Sequence, residues 1–240
     1  MSETTLAVVG AVGGAGTTRT AVELAAIGAL CGRSVTVVDA AYATQGLSEY
    51  VSGRIAPDLT RLLVDDTDRP LRDATYRIEG DWPGTLSVVP VRAPFERLAR
   101  AKAAEPARAL ASRIEEARTT ADHVVVDTPP VATNPAVAAV TAAERVAAVT
   151  PGTDHGRDAL QRLRGRLADV GAERDVTIAT GEPIAAADAV LPDPDPSAMR
   201  PVVDQRNGAY AVAVAAAFQT CFETTVDVDF EEERLLDRLR

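Results

Sequence analysis

The strongest constraint on the fold is an alternation that runs the length of the chain. Short apolar runs recur, and stretches with helical periodicity separate them. Leu6–Val9, Ser34–Val38, Thr85–Val89, Asp122–Val126 and Arg145–Val149 read as strands. Helical patterns follow over Thr18–Cys31, Pro94–Ala103, Pro106–Thr119, Asn134–Ala143, Gly156–Val170 and Gly208–Phe222, with shorter pieces at Gln45–Val51 and Pro57–Val64. Two weaker strands are expected at Asp175–Ala179 and Ala187–Leu191, and the polar segment Asp65–Gly84, with two prolines, reads as a surface excursion. Strands that are apolar on both faces belong to a parallel sheet covered on both sides. Right-handed crossovers make such a sheet doubly wound. The expected architecture is therefore a single α/β domain over 1–222, a doubly wound, mostly parallel sheet with helices on both faces. An acidic tail with a short amphipathic segment is expected over 223–240. The proline-rich run at Leu191–Pro196 is too close to the end to open a second core.

In such sheets ligands bind at the carboxyl ends of the strands. Here the first strand runs into Gly10-Ala-Val-Gly-Gly-Ala-Gly-Thr-Thr18, directly before a helix. Glycines let the backbone turn its N–H groups inward, and the helix N-terminus behind them completes a nest for an anion. Thr18 is placed to offer a hydroxyl to a metal.

Gly13-Gly14-Ala15-Gly16-Thr17-Thr18 resembles the deviant Walker A loop of the ParA/MinD family of SIMIBI-class P-loop ATPases, whose pattern is K-G-G-x-G-K-[ST]. Other segments agree with that resemblance. Asp39 closes the second strand where the family carries the first Asp of a D-x-D motif. His123-Val-Val-Val-Asp127-Thr-Pro-Pro130 resembles the Walker B strand. Trp82–Pro90, Arg145–Pro151 and Leu191–Pro194 resemble later strands and the loop after the last of them. The resemblance implies ATP with Mg2+ as cofactor, the nucleotide held by Gly13, Gly14, Ala15, Gly16, Thr17, Thr18 and Asp193, and the metal by Thr18, Asp39 and Asp127. It also implies a dimer, either a homodimer or a heterodimer with an active relative, and work in intracellular positioning such as cell division or partitioning.

Several side chains that carry the family's chemistry are replaced. The phosphate-binding Lys falls on Thr17, the signature Lys that crosses the dimer interface falls on Val12, and the water-orienting second Asp falls on Ala41. The Asn that reads adenine falls near Ala179. Phosphoryl transfer is mostly positioning and charge stabilisation, so losing such a cation removes orders of magnitude in rate. The expectation is a degenerate site, a pseudo-ATPase with weak or lost nucleotide binding and no catalytic residue, serving as scaffold or partner. The alternative is an active switch in which Arg19, or an Arg from a partner, replaces the lysine. For Asp39 and Asp127 the competing reading is capping of nearby N–H groups. A third reading, the same fold adapted to other chemistry, lacks any cluster of nucleophile and base.

Composition narrows the classes further. The chain of 240 residues holds 24 Arg but one Lys (Lys102) against 20 Asp and 15 Glu, a formal charge of −10, with 45 Ala. That balance fits a halophilic origin, with a GC-rich non-halophile as the alternative, and disfavours non-specific DNA binding. No run of about 18 apolar residues exists to span a membrane. The N-terminus lacks a basic region before its apolar run, so a cytoplasmic protein is expected. Cys31 and Cys221 read as buried thiols, and His123 and His155 add no metal cluster. In the tail, Phe230, Leu235, Leu236 and Leu239 form a narrow apolar stripe, but Glu231–Glu233 would be repelled by anionic lipid. Arg157, Arg162, Arg164 and Arg166 make the best local basic patch, more simply a solvated helix face.

Overall fold

The computed structural model describes residues 4–193, 201, 203, 208–226 and 228. Eight strands, β1 (Thr4–Gly10), β2 (Ser34–Asp39), β3 (Tyr76–Ile78), β4 (Thr85–Val89), β5 (His123–Thr128), β6 (Arg145–Pro151), β7 (Val176–Thr180) and β8 (Ala189–Leu191), form one sheet in the order β3-β4-β2-β5-β1-β6-β7-β8. Every pairing is parallel except that of β3 with β4. The helices are α1 (Thr17–Leu30), α2 (Leu59–Val64), α3 (Phe95–Ala101), α4 (Ala104–Arg118), α5 (Asn134–Ala142), α6 (Asp154–Asp169) and α7 (Gly208–Phe222).

Alternate residues of each strand enter different cores, as the period of two demands. Leu6 and Val8, Val35 and Val37, and Val125 pack with α1 and α7 on one face. Val38, Val124 and Val126 meet α2, α3 and α4 on the other face, while Ala7, Val9 and Ala148 meet α5 and α6 there. The doubly wound, single-domain architecture read from the sequence is thus the observed one. From β1 the chain moves out to β2 and β4 and returns to insert β5 between β2 and β1. It then continues on the other side through β6, β7 and β8, so the direction reverses beside β1, where the glycine-rich loop leaves its carboxyl end.

One segment differs from expectation. Asp65–Gly84 is more than a surface excursion: it carries a 3-10 turn at Leu71–Ala74 and the antiparallel edge strand β3. Three residues are too few to print a period. Ile78 is buried opposite Leu86, Arg77 faces solvent, and the Tyr76 hydroxyl donates to Pro57 O at 2.6 Å and accepts from Ala56 N at 2.8 Å. These contacts are remote in sequence, so local pattern could not reveal them. A charged side chain on a short strand also suits a sheet edge.

At the amino ends of the strands, α7 is anchored by aromatic packing. Phe218 stacks on Phe222 with centroids 4.5 Å apart, and His123 lies 4.7 Å from Phe222. Cys221 is buried beside them and Cys31 is half-buried. Val226 and Val228 continue onto the same core, while the apolar stripe of the tail lies outside the described residues. Among the described residues no helix is long and apolar enough to cross a membrane. On α6 the four arginines are exposed and interspersed with Asp154, Asp158 and Asp169, the pattern of a solvated face. Truncating Phe218→Ala should cost about 3–5 kcal/mol, the range for deleting a buried ring, read as a lowered urea midpoint with unchanged slope.

Candidate functional site

The loop after β1 is shaped by backbone before any side chain acts. Gly14 and Gly16 lie at φ +78° and +82°, a region costly for any residue with a Cβ. Gly16 is the N-cap of α1, which opens with no side-chain cap and no acid in its first turn. The first N–H groups of a helix have no intrahelical partner, so this end is left for an outside acceptor. A cleft of about 310 Å³ is lined by Val12 through Arg19, Ala41, Thr44 and Asp127 through Pro130. A second, of about 210 Å³, lies on the other side of the loop against Thr180, Leu191, Asp193 and Tyr210. Residues Gly14–Gly16 and Arg19 border both. The structure thus brings Gly13–Thr18 and Asp127 together on the first cleft, and Asp193 onto the second.

Strand register sets the acidic floor. Asp39 ends β2 directly opposite Asp127 on β5, and both are fully buried. Asp39 Oδ1 accepts the Ala41 N–H at 2.8 Å and its Oδ2 accepts the Val91 N–H at 3.1 Å, tying the turn after β2 to the chain beyond β4. Asp127 Oδ2 accepts the Thr18 hydroxyl at 2.7 Å, while Asp127 Oδ1 is buried with no hydrogen-bond partner among the described residues. Desolvation, with the charge of Asp127 beside it, pushes the Asp39 carboxyl well above the usual range. Desolvation raises Asp127 too, opposed by the Thr18 hydroxyl.

Arg19, part-buried between the two clefts, turns along α1. Its Nε donates to Glu23 Oε1 at 2.7 Å, one helical turn on, and Glu23 is fully buried with Oε2 accepting the Val203 N–H at 3.2 Å. Tyr50 and Tyr210 also hydrogen-bond the guanidinium. Desolvation disfavours its charge, but Glu23 and the two phenols outweigh that and hold the pKa above its ordinary value. Thr180, at the end of β7, donates to Ala15 O at 3.3 Å and so braces the loop from the far side. Sequence reading had not singled out Glu23, Tyr50, Thr180 or Tyr210. A lone acid in the apolar run of α1, four residues past an arginine, was the available signal for the first.

A carboxyl with a raised folded pKa binds extra protons in the native state. Its contribution to stability is complete below the unfolded pKa and is lost as pH rises through the folded value. Asp127→Asn keeps an acceptor for Thr18 and removes the repulsion on Asp39. Relative to the parent, this variant should gain on the order of 1–3 kcal/mol in metal-free buffer between about pH 5 and about pH 8. Urea midpoints across that range measure it, and a difference that shrinks with pH would contradict the account.

No protein-family model matches the sequence, and none of the curated proteins compared with it does. Solved structures do match. The cell division ATPase MinD of Pyrococcus furiosus superposes with a TM-score of 0.75 at 19% identity, covering 92% of this chain and 99% of its own. The septum site-determining protein MinD of Pyrococcus horikoshii, complexed with Mg-ADP, gives 0.72 at 21% over 92% and 95%. A putative plasmid partition protein of Borrelia burgdorferi, bound to AMPPNP, gives 0.72 at 10% over 93% and 99%. The chain therefore has the fold of the MinD- and ParA-type P-loop ATPases, as the resemblance of its motifs implies.

Proposed function

We propose that this chain is a nucleotide-binding protein of intracellular positioning, in cell division or partitioning, that hydrolyses ATP weakly or not at all and acts as scaffold or partner. The observation that carries this reading is a backbone anion nest set beside a buried, unpartnered Asp127 oxygen, with no lysine at position 12 or 17. The nest depends on glycine geometry and helix polarity, neither of which needs the lost cations. Gly13–Thr18 would hold the phosphates and Asp193, on the second cleft, would face the nucleoside.

The donors here fit a hard cation. Thr18 Oγ1, which donates a hydrogen bond to Asp127 Oδ2, would keep lone pairs for Mg2+, and Asp127 Oδ1 has no competing partner among the described residues. When bound, Mg2+ supplies charge neutralisation for the phosphate oxygens. Asp39 has both oxygens on backbone N–H groups, so its part is to shape the floor and act on the metal from behind. Ala41 offers no group to orient a water. The alternative of Arg19 as substitute cation would require it to leave Glu23, Tyr50 and Tyr210, stranding a fully buried carboxylate.

Calorimetry with ADP or AMPPNP and Mg2+ should show binding, and phosphate release should stay near background. Thr17→Lys alone should not restore turnover while Ala41 remains. A robust parental rate abolished by Arg19→Ala would instead establish the active switch.

Assembly follows from the same substitutions. Val12 carries no charge to place across an interface. A dimer through the loop face, whether with a second copy or with an active relative, should therefore form without nucleotide. Screening the charge of −10 on each chain should strengthen self-association as salt rises. Sedimentation at low and high salt, with and without nucleotide, measures this. A chain that pairs only with ATP would restore the nucleotide switch.

A further inference from the structure

A ligand that places its phosphates in the first cleft would reach the second with its remainder, since Gly14, Ala15, Gly16 and Arg19 border both. The polar side chains on the wall of the second cleft, among the described residues, are Arg19, Thr20, Thr180, Asp193 and Tyr210. All but one are spent or withdrawn. The Arg19 guanidinium is held by Glu23 and by the hydroxyls of Tyr50 and Tyr210. Thr180 turns its one proton toward Ala15 O at 3.3 Å and Thr150 O at 3.5 Å, and Thr20 is buried within α1. Asp193 differs. It is exposed, and no hydrogen bond or ion pair from another described residue engages its carboxylate.

The sheet sets the place of that carboxylate. Gly181 N–H donates to Leu191 O at 2.9 Å, which extends the pairing of β7 with β8 and fixes the chain two residues before Asp193. Gly181 lies at φ +74°, and a Cβ there would stand 3.4 Å from Asp193 Oδ1 and 3.7 Å from Oδ2, so both oxygens lie together over this turn. Leu191, Pro192 and the Tyr210 ring supply apolar surface on the same wall, which suits a flat heterocycle. A carboxylate offers two adjacent acceptors and no donor. Of the common bases, guanine alone answers with two adjacent donors, N1–H and the N2 amino group. Adenine sets the lone pair of N1 beside its N6 amino group, and a carboxylate oxygen facing N1 would be repelled. We propose that the second cleft selects guanine: Asp193 accepts N1–H and N2–H, so a guanosine phosphate, rather than an adenosine phosphate, is the preferred ligand of this chain. This rests on the nucleotide-binding reading above and deepens it by naming the base.

Calorimetric titration of the full chain at one fixed Mg2+ concentration, with GDP, inosine diphosphate, xanthosine diphosphate and ADP, reads the base edge group by group. GDP should bind about tenfold to a hundredfold tighter than ADP, the discrimination typical of a bidentate base contact. Inosine diphosphate, which keeps N1–H and lacks the N2 amino group, should fall between them. Asp193→Asn sets a donor beside an acceptor, so its preference should move from GDP to xanthosine diphosphate, whose C2 carries a carbonyl next to N1–H. A residue that only shaped the loop would weaken every nucleotide alike, so this exchange separates recognition from folding. ADP binding as tight as GDP, or tighter, would overturn the proposal while leaving nucleotide binding intact. An unchanged order of ligands in Asp193→Asn would also overturn it, since the selection would then lie elsewhere. No binding of any of the four would sink both this proposal and the functional reading.

Discussion

Two carboxyls share one buried floor. Parallel register places Asp39 and Asp127 side by side at the ends of adjacent strands, with no solvent reaching either. Such a pair persists only if its oxygens are occupied, because desolvated, unpaired carboxylates are expensive. Three of the four oxygens are: two by the Ala41 and Val91 amides, one by the Thr18 hydroxyl. Each bond fixes a wall of the crevice, namely the turn after β2, the chain leaving β4, and the first turn of α1. The glycine-rich loop is therefore held from below by the same groups that make the site acidic.

The fold was legible because its strands are buried on both faces and its helices are periodic; those signals are local and long. β3 was not legible, since its partners Leu86 and Val88 and the backbone of Ala56 and Pro57 lie elsewhere in the chain. The site divides along the same line. Glycine spacing announces the loop, and Asp39 and Asp127 stand out as lone acids closing apolar strands. What spacing could not convey is orientation: that Asp39 spends its carboxylate on two amides, or that Arg19 turns to Glu23 and two tyrosines, one of them at the start of α7. Those facts depend on where distant elements dock, and they change the roles that motif position alone would assign.

Tertiary bonding also separates what the fold needs from what only a ligand would use. Asp39 is accounted for by packing and hydrogen bonding, so its presence says little about chemistry. Ala15, nearly fully buried, and Thr180, donating to Ala15 O, similarly serve the loop's shape. Asp127 is different. An asparagine there would accept the Thr18 hydroxyl equally well, would carry no buried charge, and would spare Asp39 a repulsive neighbour. Among the described residues no hydrogen-bond donor engages the second oxygen of Asp127. A carboxylate kept at that cost, beside a hydroxyl with free lone pairs, fits the cation-binding role proposed for it. The contacts that hold the crevice together are made by Asp39, Thr18, Thr180 and the loop backbone, and none of them draws on the side chain of residue 12 or 17.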